Sequence, residues 1–154
     1  MTTFLLIVHG LVAVALLGAI THQAAGVLMP ARKPASSLAG RFRSVAAAPY
    51  ANSVVILYVT STILGGLIYP DYRLGIRGVL EELELRVANG SFELKEHFVA
   101  VGLGMLPAYW AFWRQPLLEE HARARAVITA MLAFIIWWGF LVGHVLNNIR
   151  GFGS

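Results

Sequence analysis

"VHGLVAVALLGAITHQ" (residues 8–23) is an apolar stretch with a histidine near each end, His9 and His22. It belongs to a longer apolar segment, about residues 3–25, which as a helix is long enough to cross a hydrocarbon core of about 30 Å. Backbone groups in hydrocarbon must be hydrogen-bonded within the segment, so this run predicts a transmembrane helix. An imidazole there needs a partner, because an unpaired polar group in a low-dielectric medium costs free energy.

The composition of the whole chain also indicates a membrane protein. The 154 residues are 58% hydrophobic and 13% charged, whereas about 25% of the residues in a soluble domain are charged. The chain has no cysteine, which excludes disulfides, iron–sulfur clusters and c-type haem attachment. The basic residues lie in short loops, so we expect no nucleic-acid partner. We expect one membrane domain over residues 1–154 that keeps its first segment, since that segment lacks the basic start of a signal peptide.

The apolar segments predict an all-α integral membrane protein, a bundle of four transmembrane helices. Their runs are continuous and do not alternate as barrel strands do. The second helix is predicted to end before Pro70, and aromatic residues at 109–113 close the third as an interfacial belt. The predicted spans are about residues 3–25, 50–69, 92–113 and 124–148.

The linker between the second and third spans has structure of its own. Residues 74–87 place apolar side chains at nearly helical spacing, with acidic residues between them. This pattern predicts a short amphipathic helix at the membrane interface. The sequence "NGS" (residues 89–91) predicts a turn, with Ser91 as the N-cap of the third span.

The distribution of basic residues predicts the orientation of the chain. The first loop carries Arg32, Lys33, Arg41 and Arg43 without an acidic residue, and the third loop carries three more arginines. By the positive-inside rule both loops are cytoplasmic. Both termini then face the outer, periplasmic side of what we expect to be a bacterial inner membrane.

This topology brings three histidines toward the outer side: His9, His97 and His144. Ionisable residues within a membrane are rare and usually functional. Two imidazoles that face each other across a bundle can hold haem b. We predict His9 and His144 as the axial pair, with His97 as a substitute or a quinone ligand. Asn147 and Arg150 follow on the same helix and could bind a haem propionate or a quinone carbonyl.

The other two histidines, His22 and His121, fall at the opposite ends of their segments. Between His9 and His22 a helix rises about 19.5 Å but turns about 140° away from a shared face. We therefore interpret His22 and His121 as interfacial polar residues and not as ligands of a second haem. Trp137 and Trp138 lie within the fourth span and either flank a cofactor or face lipid.

Three functions remain open from the sequence. The first is a b-type cytochrome subunit that passes electrons between quinone and a partner redox protein; the four-helix, multi-histidine layout is similar in outline to small membrane cytochromes b. The second is a non-catalytic accessory or assembly subunit of a larger membrane complex. The third is a membrane protein with a non-haem metal site. Its ligands would be Glu93, Glu96, His9, His97 and His144. We expect an electron-transfer or accessory subunit, in contact with lipid and other subunits, and not a self-standing enzyme.

Overall fold

The structure, a computed structural model, describes residues 2–29, 37, 38, 41, 45–114 and 119–151. The side chains of residues 2 and 149–151 are outside this description. Within it the chain is helical and contains no strand. The predicted all-α fold is therefore confirmed for the described residues.

The described secondary structure consists of four long helices and shorter helical segments between them. A π-helical turn, Tyr72–Ile76, directly follows the second of the long helices, and a 3₁₀ turn, Glu119–His121, precedes the last one. The α-helices are α1 (Thr2–Leu28), α2 (Tyr50–Asp71), α3 (Arg77–Glu82), α4 (Arg86–Arg114) and α5 (Ala122–Gly151).

The four long helices pack side by side, each antiparallel to its neighbours. α1 contacts α2 and α5, and α4 contacts the same two helices. The buried core takes side chains from all four, including Ile20, Val54, Tyr109 and Leu132, each 0% exposed. Many large apolar side chains point outward instead, such as Phe134, which is 58% exposed. Such an apolar exterior suits hydrocarbon better than water.

Three helical segments among the described residues are long and apolar enough to cross a membrane. They are Thr3–Leu28, Tyr50–Glu82 and Glu119–Asn148. α4 is outside this set, and its first turns carry charged side chains such as Glu93, Lys95 and Glu96. The apolar helices are compatible with a membrane protein, and three of the four predicted spans have the required length and composition.

The prediction that the second helix ends before Pro70 was wrong. α2 continues through Pro70 to Asp71 and then into the π turn. Proline removes a helix hydrogen bond and its ring crowds the carbonyl four residues earlier, and the π turn begins two residues after it. Packing also favours continuation, since the Tyr72 ring stacks on Phe92 with centroids 3.6 Å apart.

The predicted interfacial helix at 74–87 is interrupted instead of continuous. α3 ends at Glu82 in a Schellman motif, in which the Leu85 N–H donates to the Leu80 carbonyl at 2.8 Å. Glu84 takes the left-handed position of this motif, with φ 55°. The remainder of the predicted helix becomes the start of α4 at Arg86.

The turn predicted at residues 89–91, with Ser91 as an N-cap, was also wrong. These residues lie inside α4, which begins upstream of them. Asn89 is fixed there by a tertiary contact, because the Tyr72 hydroxyl donates to Asn89 Oδ1 at 2.9 Å. A side chain that would otherwise favour a turn is thus satisfied within a helix.

Candidate functional site

A pocket of about 320 Å³ opens where the π turn meets the start of α4. One wall of the pocket is formed by residues around and after Pro70, where the chain stays helical. The other wall is formed by the first turns of α4. We call it the π-turn pocket, and the end of the bundle that contains it the π-turn end. Its lining consists of three aromatic and four charged or titratable side chains: Tyr69, Tyr72, Phe92, Arg77, Glu93, Glu96 and His97.

The aromatic residues form a stack. The rings of Tyr72 and Phe92 are inclined by 15° to each other, and those of Tyr69 and Phe92 by 22° with centroids 6.2 Å apart. Aromatic faces favour offset stacking with another planar ring. A planar ligand can extend such a stack at its end.

Arg77 supplies a fixed hydrogen-bond donor. Its Nε lies 2.8 Å from Glu81 Oε1, and its Nη1 lies 3.5 Å from Glu93 Oε1. These two carboxylates, one on its own helix and one on α4, hold the guanidinium beside the pocket. A guanidinium has five N–H donors, so it retains donors for a ligand.

His97 supplies an acceptor. Its Nδ1 lies 2.7 Å from the backbone carbonyl oxygen of Glu93. A carbonyl oxygen only accepts, so Nδ1 carries the proton and Nε2 of the neutral ring keeps a lone pair. The side chain is exposed, which leaves Nε2 available to a ligand.

A second polar group lies next to the pocket, between the helices. The Lys95 Nζ is 3.0 Å from Glu96 Oε1 and 4.3 Å from the centre of the Phe92 ring. The Lys95 side chain is only 17% exposed, and its stem lies against Gly139 of α5. Glu96 lines the pocket and, with Lys95, lies close enough to act electrostatically on half-buried His9.

His9 lies between α1 and α2. Its Cε1 is 3.6 Å from where a Cβ on Gly65 would be. Its Nδ1 is buried and has no hydrogen-bond partner among the described residues. His9 and the pocket thus share one end of the bundle, as the sequence predicted for His9 and His97.

His144 is placed differently. Its ring lies parallel to Phe140 with centroids 6.3 Å apart, and its Nε2 is 3.2 Å from the Asn148 side-chain nitrogen. Both partners belong to α5, and His144 is exposed. Asn147 is likewise exposed, and the side chain of Arg150 lies outside the described residues.

The structure does not show His9 and His144 facing each other. The contacts of His144 stay within α5, whereas His9 lies against Gly65 of α2. Trp137 Nε1 donates to Thr21 Oγ1 at 3.1 Å and so joins α5 to α1. The described contacts therefore do not assemble the predicted axial pair.

A shared metal site at the predicted ligands does not form either. No group of three or more His, Asp or Glu side chains in the described part of the chain lies where it could hold a metal ion. The ring of His97 bonds to its own helix, and that of His144 does the same. His9, His97 and His144, which the predicted topology places at one end, therefore do not form one coordination sphere in the described structure.

The opposite end of the bundle contains a buried polar network that the sequence did not indicate. The Tyr109 hydroxyl donates to Gln23 Oε1, and Gln23 Nε2 donates to the Ala47 carbonyl at 3.1 Å. Gln23 and Tyr109 are both 0% exposed. The only sequence signal for this network is a glutamine within an apolar segment. From the sequence, Tyr109 is instead predicted to belong to an interfacial belt. We call this the Gln23 end.

Two more side chains at the Gln23 end join α4 to α5 by a hydrogen bond. Trp113 Nε1 donates to Thr129 Oγ1 at 3.0 Å, and the Thr129 hydroxyl donates to the Arg125 carbonyl at 2.7 Å. Trp113 and Thr129 are buried. The end of α4 is thereby fixed to the start of α5.

The remaining histidines and tryptophans are not part of the π-turn pocket. His22 is buried, 4% exposed, with its ring 4.6 Å from that of Tyr50, so it is packed and not a solvated interfacial residue. His121 lies 3.5 Å from Glu120 in the 3₁₀ turn. Trp137 is 41% exposed, and Trp138 packs edge-on against Phe98.

Comparison with known proteins gives no relative from which a function could be transferred. No family model matches the sequence, and no curated protein or solved structure is significantly similar to it. The residues of the π-turn pocket are therefore the basis for the functional proposal.

Proposed function

We propose that this protein binds the ring of a membrane quinone in the π-turn pocket, as a subunit of a membrane electron-transfer complex. The observation that carries the proposal is the combination of an aromatic stack with a fixed donor, Arg77, and a fixed acceptor, His97 Nε2. A quinone is a planar ring that alternates between two hydrogen-bonding states, and the pocket offers a partner for each.

The chemistry of the two polar groups matches the two states of the ligand. The carbonyl oxygens of an oxidised quinone accept hydrogen bonds, which the Arg77 guanidinium donates. The hydroxyl groups of the reduced quinol donate, and His97 Nε2 accepts. Binding of both states is what a site for quinone turnover requires.

The dimensions of the pocket agree with a small ring. Its volume of about 320 Å³ lies at the lower end of the range of about 300 to 1,000 Å³ found for ligand sites. Stacking against aromatic rings contributes about 0.5–1.5 kcal/mol beyond burial. Along α2, Leu67 and Ile63 are 60% and 59% exposed, which provides an apolar surface for an isoprenoid tail.

In this proposal all four long helices span the membrane. α4 has 29 residues, a length of about 43 Å. It packs along α2 and α5, both of which have the length and composition of spans, so its charged first turns lie at the π-turn end of the bundle. The basic first and third loops favour an outer position for that end and for both termini.

The proposal gives this chain a binding role and assigns it no axial haem ligand. His97 serves the pocket, and His144 is bonded to Asn148. Electrons exchanged with the bound quinone would pass to a redox group on a partner subunit. This combines the quinone site expected for a cytochrome subunit with the accessory role that the sequence left open.

The test is equilibrium binding of a short-chain ubiquinone analogue to the purified protein in nanodiscs. Saturable binding is expected. Arg77→Gln should weaken binding of the oxidised analogue, and His97→Ala binding of the reduced analogue, at least about tenfold through a lost hydrogen bond. Arg86→Gln is the matched control, since Arg86 is exposed and outside the pocket lining. No saturable binding, or equal weakening by Arg86→Gln, would refute the proposal.

Comparison of the oxidised and reduced ligand sharpens this test. Arg77→Gln should weaken binding of the quinone more than that of the quinol, because the guanidinium only donates. His97→Ala should have the opposite preference, since Nε2 accepts from the quinol hydroxyl. Equal effects of both variants on both ligands would show that neither side chain bonds to the oxygen atoms of the ring.

A further inference from the structure

We infer that the Gln23 end binds the phosphate of an anionic phospholipid through Arg125. This inference rests on the proposed membrane insertion and is independent of the quinone. Arg125 belongs to the first turns of α5 and is only 9% exposed. Its guanidinium is always charged, so its burial requires an explanation.

The charge of Arg125 is not compensated within the described part of the chain. Its Nη1 is buried without a hydrogen-bond partner, and no carboxylate among the described residues forms an ion pair with it. A buried unpaired charge is strongly destabilising. The burial of an unpaired Arg125 is best explained if an anion from outside the chain binds to it.

The surroundings of Arg125 hold it in place for a ligand. Its Cζ lies 5.7 Å from the Trp113 ring, and its carbonyl accepts from Thr129, the residue that also accepts from Trp113. Arg114 stacks in the same manner on Trp110, with its Cζ 4.6 Å from the ring. Two arginines therefore rest on two tryptophans at the end of α4.

The charge and the position of this end favour a lipid phosphate as the anion. In the sequence, the first and third loops (residues 29–44 and 114–125) carry seven basic residues, Arg125 included, against Glu119 and Glu120. Those two carboxylates are exposed, and Glu120 lies beside His121. Indole rings favour the membrane interface, and basic pockets between helices on the cytoplasmic side bind anionic head groups.

Native mass spectrometry of the full-length protein, released from nanodiscs of mixed phosphatidylglycerol and phosphatidylcholine, tests this inference. The wild type should retain phosphatidylglycerol at least about tenfold over phosphatidylcholine, and Arg125→Gln should lose that preference, as expected for a charge-assisted bond. Arg123→Gln is the matched control, because Arg123 is exposed on the same helix and its loss should leave the preference intact.

A second measurement does not depend on folding of the Arg125→Gln variant. The thermal midpoint of wild-type protein in detergent should rise by several degrees on addition of phosphatidylglycerol and not on addition of phosphatidylcholine. Inorganic phosphate at millimolar concentration should have no effect. An equal rise with phosphate would assign the site to a free anion, and no rise with either would show that Arg125 binds neither the lipid nor phosphate; both outcomes overturn the inference.

Quinone binding distinguishes failure of this inference from failure of the proposed function. Arg125→Gln should leave the affinity for the ubiquinone analogue unchanged, because the two sites lie at opposite ends of the bundle. Lipid selectivity without quinone binding would leave the phosphate site intact and refute only the quinone site.

Discussion

At the Gln23 end, Gln23 and Tyr109 are fully buried and bonded to each other, whereas at the π-turn end Arg77 and His97 are partly or largely exposed and line an open pocket. Buried polar groups are nearly always hydrogen-bonded, because an unpaired one costs free energy. The side chains of the first network use their polar atoms to join helices. The side chains of the π-turn pocket keep hydrogen-bond donors and acceptors available for a ligand.

This difference separates polar residues that stabilise the fold from those suited to function. Removal of a side chain at the Gln23 end should lower stability, and removal of one at the π-turn end should mainly lower ligand affinity. Four substitutions test this division, in order of decreasing effect on the free energy of unfolding.

The largest effect is expected midway between the two ends, for Gly102→Ala. The new Cβ would overlap the Tyr58 hydroxyl and lie 2.8 Å from Tyr58 Cζ. Tyr58 is held in this position, because its hydroxyl donates to the Val99 carbonyl at 2.9 Å. We expect a loss of about 3 kcal/mol from overpacking, measured by reversible unfolding in mixed micelles. Gly104→Ala is the control, with nothing within 4 Å of its Cβ, and an equal loss there would contradict the prediction.

Gln23→Leu should cost about 2 kcal/mol, since it leaves the Tyr109 hydroxyl and the Ala47 carbonyl without their partner. Tyr109→Phe alone should also destabilise, because Gln23 Oε1 is then unpaired. The double variant should be more stable than the sum of the two losses implies, and a double-mutant cycle measures this coupling. Strict additivity would mean that the two side chains do not interact.

Glu84→Gly should stabilise the protein by about 1 kcal/mol. Glu84 has φ 55°, a conformation that costs a non-glycine residue roughly 1–2 kcal/mol. Glu82→Gly is the matched control, since Glu82 is the last residue of α3 and has a helical backbone, and glycine within a helix is destabilising by up to roughly 0.5–1 kcal/mol. Thermal unfolding of both variants should give shifts of opposite sign, and shifts of the same sign would be inconsistent with the Schellman turn.

His144→Ala should change stability by less than about 0.5 kcal/mol, as is usual for exposed positions. The side chain is exposed and bonds only within α5, so affinity for the ubiquinone analogue should also be unchanged. A tenfold loss of affinity in the binding assay would place His144 in the functional site and restore the predicted histidine cluster.

The long apolar segments could be predicted because hydropathy is a property of a whole segment. α1 and α5 extend only a few residues beyond their predicted bounds. The region between α2 and α4 could not be predicted in the same way. Local signals at Pro70 and residues 89–91 were overridden by contacts of Tyr72 with Phe92 and Asn89, residues that are 20 and 17 positions away.

The candidate site was predictable only in part for the same reason. His97 is a residue that the sequence singles out and that lines the pocket, but Arg77 and Tyr69 reach the pocket only because the helix continues past Pro70. The depth of His144 relative to His9 depends on the register of two helices, which residue numbers alone do not fix. The bond between Gln23 and Tyr109 joins residues 86 positions apart.

The unbroken helical rod from Tyr50 to Glu82 spans 33 residues, or about 50 Å, against a hydrocarbon core of about 30 Å. A rod of this length must protrude or tilt, and Arg77 is carried near its far tip. Local bilayer thickness therefore sets how deeply the guanidinium is immersed. In a thin bilayer the pocket mouth would stand among the lipid head groups, and a thicker one would draw it down toward the layer in which hydrophobic quinones diffuse.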